Sequence, residues 1–319
     1  MMVPETPCDQ CVRPAIVDQP YCGAHRCALH FRESVDERAR RELHRQFPRF
    51  RGGTVAVALS GGKDSSVALV LTHRYFRRRP NVRIVALTVD EGIAGYRAKT
   101  LESARQLTHQ LGVEHLVLSH RDAYGITTDQ AAKRLSDTAP CSFCGVWRRG
   151  LLNRAARDAG AEALVLGFNL DDLAQTILMN LARADLDRIG RMAPHLRRQD
   201  RMVPRIAPLA TIPEREVFLY ARLAELPFDH AECPHAPRAA RNVFREVVWK
   251  LEDEIPGTRH ALLKTQERLA RLLPESVTGA PDRCAECGEP STSPLCRGFE
   301  YLRRARGNPL MAHAGSGAL

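Results

Sequence analysis

The feature that most constrains this chain is the run from Val57 to Ala68, VALSGGKDSSVA. A stretch of small apolar residues breaks into Ser60-Gly61-Gly62-Lys63-Asp64-Ser65, and apolar periodicity resumes at once. The first part reads as a buried strand and the part beyond as a helix, so the glycines mark a strand-to-helix turn. Glycine admits positive φ and lets the backbone approach a ligand closely. Free N–H groups at a helix start, with the helix dipole, favour an anion such as phosphate. Lys63 adds a point charge, and Ser60 and Ser65 add hydroxyls. Asp64 would repel a phosphate directly and better suits a Mg²⁺ ion that bridges phosphates. The spacing is neither the longer Walker loop nor the dinucleotide pattern G-x-G-x-x-G. A glycine turn without any ligand is the plain alternative, and the agreement of strand, turn, lysine and helix speaks against it.

The rest of the chain repeats that alternation. Strands are expected at 54–60, 82–90, 114–119 and 162–168. Helices are expected at 33–47, 65–76, 96–112, 147–160 and 170–182, then at 213–226, 240–254 and 258–273. Nearly unbroken apolar strands between helices imply an α/β fold with a doubly wound parallel sheet, covered on both faces. Such a sheet places its ligands beyond the carboxyl ends of the strands. The stretch 275–283 reads as a linker and GNPLMAHAGSGAL as a flexible tail. Three parts follow: residues 1–30 rich in Cys and His, a catalytic α/β domain over 31–275, and a second small cysteine unit with a basic tail over 276–319.

No apolar run approaches the ~18 residues of a membrane span. The start, MMVPETPCDQC, lacks a basic segment followed by an apolar one, so a cytoplasmic address is expected and no membrane partner. The formal charge of +10 favours a polyanionic partner such as nucleic acid, with basic patches at 73–80, 183–205 and 301–306. The chain has ten cysteines. In a cytosolic protein, paired cysteines read as metal ligands before disulfides. Cys141 and Cys144 form C-x-x-C, and Cys233 stands alone in AECPHAP. Three thiolates leave one coordination position open, as a catalytic centre needs, and suit zinc or an iron–sulfur cluster. A redox pair at Cys141 and Cys144 and an inert buried Cys233 remain alternatives on the residues alone.

SGGKDS resembles the PP-loop of the N-type ATP pyrophosphatases. Together with PCSFCGVWRR (140–149), VDEGIAGYR (89–97), GFNLDDLAQTILMNL (167–181) and EREVFLYA (214–221), the chain resembles the tRNA 2-thiolation enzymes of the TtcA/TtuA class, including the archaeal and eukaryotic cytosolic wobble-uridine thiolases. The likeness runs from about Cys8 to about Cys296. It implies that Ser60, Gly61, Gly62, Lys63, Asp64 and Ser65 bind ATP phosphates, that Val89 and Asp90 meet adenine and ribose, and that Gly167 closes the nucleotide site. It implies that Cys141, Cys144 and Cys233 hold a 4Fe–4S cluster with one iron free to bind sulfur. ATP would adenylate O2 of a tRNA uridine, and sulfur would then displace AMP at C2. A thiocarboxylated ubiquitin-like carrier is the implied sulfur source, and a homodimer an implied assembly. Asp172 and Arg148 are implied catalytic residues beside Asp64, although Asp171 and Asp172 would also suit helix capping. Where the family has His in G-H-N, this chain has Phe168. Other adenylating PP-loop ligases or amidotransferases, and a zinc-finger RNA-binding scaffold with a nucleotide-binding core, are the competing functions.

Cys8, Cys11, Cys22 and His25 form C-x-x-C…C-x-x-H, a zinc-finger spacing. Cys27 is an alternative fourth ligand, and the resemblance favours His25. At the other end Cys284, Cys287 and Cys296 lack a fourth cysteine, because the family's last position is occupied by Phe299. His313 or Asp282 would have to substitute there, or zinc would bind weakly or not at all.

Overall fold

The computed structural model describes residues 6–48, 50–192, 201–236, 241–273 and 282–307. A short hairpin of β1 (Val17–Gln19) and β2 (Ala24–Arg26) leads into helix α1 (Ala28–Gln46). The small and β-branched residues of GTVAVA then form β3 (Gly53–Ala58). There follow α2 (Lys63–Phe76), β4 (Val82–Asp90), α3 (Arg97–Leu111), β5 (Glu114–Ser119) and two short helices, α4 (His120–Tyr124) and α5 (Thr128–Arg134). Next come α6 (Pro140–Asp158), β6 (Ala161–Val165), α7 (Leu170–Leu181), α8 (Leu186–Gly190), β7 (Arg205–Ile206) and α9 (Glu214–Leu223). The chain closes with α10 (Arg241–Glu254), α11 (Thr258–Leu272), a hairpin of β8 (Asp282–Arg283) and β9 (Pro290–Ser291), and α12 (Arg297–Ala305).

Five strands form one sheet in the order β5-β4-β3-β6-β7, and every pairing is parallel. The chain winds from β3 outward to β5, then returns to lay β6 on the other side of β3. That reversal opens a crevice at the carboxyl ends of β3 and β6. Side chains alternate across the sheet as a pleated strand requires. Val55 and Val57 join Phe31, Leu43, Leu69 and Tyr220 on one face. Ala56 joins Val85, Leu87, Trp147 and Leu152 on the other. Trp147 is fully buried, and its indole N–H donates to the Gly298 carbonyl at 2.9 Å, which ties α6 to the C-terminal unit.

The differences from the expected elements have local causes. α6 starts at Pro140, seven residues before the expected 147, because proline is pre-set for the first helical position. Cys141 therefore lies in its first turn and Cys144 at the start of its second. α1 starts at Ala28 and runs across residue 30, the expected end of the first unit. β5 is a half-exposed edge strand, with Leu116 and Val117 open to solvent. β7 has two residues, too few for any periodicity. YLRRAR, expected only as a basic patch, closes α12 and buries Leu302 and Ala305. Most of the linker and the tail beyond Gly307, with His313, lie outside the described residues. No helix among the described residues is long and apolar enough to cross a membrane.

Candidate nucleotide and cysteine site

The turn after β3 is built for close backbone approach. Gly61 has φ +85°, and a Cβ there would meet the Thr100 carbonyl oxygen at 1.8 Å. Ser60 N–H donates to Ser65 Oγ at 3.0 Å, and that hydroxyl donates to the Gly62 carbonyl at 3.0 Å. The loop is thus held by its own serines, with Gly62 as N-cap of α2 and no side-chain cap hydrogen bond from that residue. Lys63 Nζ is 3.0 Å from Asp64 and 2.8 Å from Glu214. Burial works against its charge, but the two carboxylates prevail and raise its pKa. Asp64 also accepts from Asn169 Nδ2 at 2.9 Å. Gly167 lets β6 close on this turn, since a Cβ would come within 2.8 Å of the Ser65 nitrogen.

Asp171 and Asp172 separate in role. Asp171 is buried and accepts from Arg259 and from the Glu214 N–H, a clamp between helices. Asp172 completes a capping box with Asn169, yet its carboxylate also faces the loop. Burial first, then the negative charges of Asp64 and Glu214, push it up to about 6 against the pull of Arg241, 3.3 Å away.

The three central cysteines are brought into one neighbourhood. Cys141 Sγ reaches the His235 carbonyl at 3.8 Å, so the loop carrying Cys233 lies over the start of α6. Burial raises the Cys233 thiol, and the nearby Cys141 raises it further. Burial pushes Cys144 up to about 11, with Cys233 contributing. Among the described residues the trio does not draw in to the 4.8 Å mutual spacing that the terminal cysteine sets reach. A cluster's thiolates bond different irons and stand farther apart than the donors of one ion. The open, all-thiolate donor set therefore fits an iron–sulfur cluster better than a single zinc.

Glu91 and Arg97, which sequence reasoning did not single out, join the two halves. Buried Arg97 donates to the Ser60 carbonyl at 2.8 Å and to the Val89 carbonyl at 2.5 Å, and pairs with Glu91 at 2.9 Å. Glu91 also receives Arg148 at 3.1 Å, and Arg148 interacts electrostatically with Cys144. One ion chain, buried at Arg97 and Glu91 and exposed at Arg148, thus runs from the phosphate turn to the cysteines. Two opposite charges placed after a buried strand, in DEGIAGYR, were the available signal. Asp90 Oδ1 accepts the Gly92 N–H at 2.8 Å and shapes the same turn. Phe168, which follows β6, is exposed.

The N-terminal assignment needs correction. Cys8, Cys11, Cys27 and His30 bring their donor atoms within 4.8 Å of one another. Cys22 is exposed, and His25 pairs with Asp18 at 2.6 Å instead. The chain carries two consecutive C-x-x-H runs, and the helix decides between them. Cys27 is the N-cap of α1 and His30 lies in its first turn, so both point to one side. Cys22 sits in the tip between β1 and β2, and His25 lies within β2. Burial works against the Cys8 thiolate, but N–H groups of Cys27 and Gln10 and the His30 ring bring it down to about 6. At the other end Cys284, Cys287 and Cys296 also close within 4.8 Å. Asp282 is not part of that set, and Phe299 points into a neighbouring pocket.

A PP-loop domain model matches residues 35–252. The tRNA 2-thiolation protein NcsA of Haloferax volcanii is 37% identical over 308 residues, covering 91% of this chain and 96% of that protein. The chain belongs to the PP-loop family of tRNA 2-thiolation proteins. Its similarity extends to the Arabidopsis thaliana cytoplasmic tRNA 2-thiolation protein 1, 34% identical over 310 residues, 94% of this chain and 85% of that one. Among solved structures, the U34-tRNA thiolase NcsA from Methanococcus maripaludis with its 4Fe–4S cluster matches with TM-score 0.82 and 31% identity, covering 94% of this chain and 96% of that chain. Membership of this family agrees with the parallel sheet and the glycine turn found here.

Proposed function

We propose that this chain is an ATP-dependent tRNA sulfurtransferase that converts a uridine, by analogy with the methanococcal relative the one at position 34, to 2-thiouridine. The observation that supports the reading is the Arg97–Glu91–Arg148 ion chain, which links the glycine turn to the neighbourhood of Cys144 and Cys233. An amide-like carbonyl is a poor electrophile, and adenylation makes its oxygen a leaving group.

The N–H groups at the start of α2 receive the ATP phosphates, helped by the helix dipole. Lys63 exchanges its carboxylate partners for the phosphates, and Asp64, oriented by Asn169, takes Mg²⁺. Val89 and Asp90 border the adenosine, and Gly167 keeps the site closed. Uridine O2 attacks the α-phosphorus and pyrophosphate leaves. The N3 proton must go as O2 becomes bonded, and Asp172 is suited to accept it. A base with a pKa of about 6 is ionised at neutral pH yet still basic enough to help. A sulfur nucleophile then displaces AMP from C2. Cys141, Cys144 and Cys233 hold the cluster, which supplies a metal position able to carry sulfur. Arg148, fixed by Glu91, offers a permanent positive charge to the departing phosphate. A protein thiocarboxylate is the proposed sulfur source, a homodimer the proposed assembly, and the cytoplasm the proposed location. The terminal cysteine sets are proposed zinc units flanking the 31–275 catalytic part.

Anaerobic turnover tests the reading. Unmodified tRNA, ATP and sulfide are expected to yield AMP in a tRNA-dependent way and 2-thiouridine on nucleoside mass spectrometry. Cys233→Ser is expected to abolish thiolation while ATP still binds. Release of AMP that ignores tRNA, or a colourless protein without iron after anaerobic purification, would overturn it. In the same assay AMP formation should climb as pH rises through about 6 and Asp172 ionises. Asp172→Asn should remove that limb and slow the step by roughly 10²- to 10⁴-fold.

A further inference from the structure

The two adjacent arginines of α6 serve different ends. Arg148 turns to Glu91. Arg149 folds back over Gly145, where a Cβ would lie 3.2 Å from its Nη1. Gly145 is inside the helix and has no positive φ. Glycine there costs about 1 kcal/mol relative to alanine, and the room it leaves for the guanidinium accounts for its presence. Arg149 has no carboxylate or carbonyl partner among the described residues. Arg149 as a whole is exposed, and its charged neighbours are Arg205, Arg148, Arg188 and Arg241; partial desolvation of its guanidinium first, then these four, pull it down to about 10. Arg205, on β7, likewise makes no ion pair among the described residues, and burial lowers its pKa. Both line a pocket of about 430 Å³ between α6, β7 and the C-terminal unit, which Phe299 also lines. Glu289 is the acid of that wall, and Arg157 already holds it at 2.7 Å.

Two guanidinium groups without an ion-pair partner among the described residues, set in a concave site, form an anion receptor. Arg149 is five residues from Cys144 along α6, about 7.5 Å of helix rise. An anion held there would stand beside the cysteine site but on the side of the C-terminal unit. Arg154, Arg191 and Arg297 surround the pocket as well, which suits a chain of phosphates more than one small ion.

We propose that Arg149 and Arg205 form a phosphate subsite for the tRNA backbone, separate from the nucleotide turn, which positions the substrate strand at the cysteine site. The proposal rests on the sulfurtransferase reading, and its test separates the two. Binding of unmodified tRNA to the full-length protein is measured by fluorescence anisotropy between about 50 and 200 mM salt, a range over which phosphate contacts dominate affinity. Arg149→Gln with Arg205→Gln is expected to weaken binding about tenfold or more and to flatten the plot of log K against log salt by roughly 0.7–0.9 for each lost contact. ATP affinity should be unchanged, which also reports that the variant is folded. Arg149→Lys with Arg205→Lys should recover part of the salt slope, because a point charge remains.

A measurement on the unaltered protein needs no variant. Phenylglyoxal should modify Arg149 and Arg205 in the free protein, and tRNA should protect both. Wild-type affinity and slope in the glutamine pair, or no protection by tRNA, would overturn the subsite. Protection by inorganic phosphate as complete as that by tRNA would make it a small-anion site and overturn the tRNA assignment. Failure of the unaltered protein to bind tRNA at any salt would instead sink the sulfurtransferase reading.

Discussion

At the N-terminus Cys8 and Cys11 lie close in sequence, Cys27 caps α1, and His30 follows three residues later. At the C-terminus Cys284 and Cys287 lie close in sequence, Cys296 caps α12, and Phe299 follows three residues later. The frameworks match donor for donor until the last position. In both, the third cysteine is a helix N-cap, so the residue at the third helical position is carried to the same side. A histidine there completes a four-donor set, and a phenylalanine leaves three thiolates and sends its ring into the pocket beside Arg149. Structural zinc is almost always closed by four ligands, so the first unit offers the full donor set such a site needs and the second is one donor short. The difference lies at one side chain and needs no change of backbone plan.

The largest expected effect tests which pair of the tandem C-x-x-H runs matters. Cys27→Ser or His30→Ala should strip one zinc from the protein and unfold the segment before α1. That unit has little core, so metal binding supplies its folding energy, on the order of 10–16 kcal/mol in comparable peptides. Cys22→Ser and His25→Ala should leave zinc content unchanged. Metal analysis with limited proteolysis reads both outcomes. Loss of zinc from Cys22→Ser with retention in Cys27→Ser would invert the comparison.

A smaller effect is expected from Phe299→His, which gives the second unit the donor that the first one has. Zinc should be held on the order of tenfold more tightly there, about 1.4 kcal/mol, in competition with a chelator. If Phe299→His gains nothing, the missing donor is supplied from elsewhere and the two units are less alike than their cysteines suggest.

The same comparison shows what the residues could and could not announce. Alternation of apolar strands and helices was enough for a doubly wound sheet, because each buried strand is a continuous apolar run such as Val55 to Leu59. The phosphate turn was legible because only glycine fits beside Thr100. The ligand choice between His25 and His30 was not, since both satisfy C-x-x-H and only the helix start at Ala28 separates them. Glu91 and Arg97 escaped for a related reason. They act through contacts with the Ser60 and Val89 carbonyls and with Arg148, set by the return of β4 beside β3, and no local spacing encodes that. Gly145 fell outside the expected helix, which began at 147, and its place under Arg149 follows only from the earlier start of α6 at Pro140.

The smallest effect concerns how each unit is fastened to the sheet domain. Tyr21, near the tip of the N-terminal hairpin, donates to Glu216 at 2.6 Å, and Arg38 holds both groups. Glu216 is fully buried, and burial pushes the Tyr21 phenol far above its ordinary range, so it keeps its proton and remains a donor. The C-terminal unit is fastened by Arg157 to Glu289, where Arg154 and Asn153 also reach the same carboxylate. Redundancy therefore differs between the ends. Tyr21→Phe removes a hydrogen bond to a buried charge whose remaining partner among the described residues is Arg38, and should cost about 1.5–3 kcal/mol. Arg157→Ala leaves Glu289 with its remaining partners and should cost less. Denaturant midpoints rank the two, and hydrogen exchange locates them: Tyr21→Phe should speed exchange in Val17–Arg26 while α12 keeps its protection. Equal losses, or exchange that rises at both ends together, would mean that the sheet domain transmits the change and that the two fastenings are not independent.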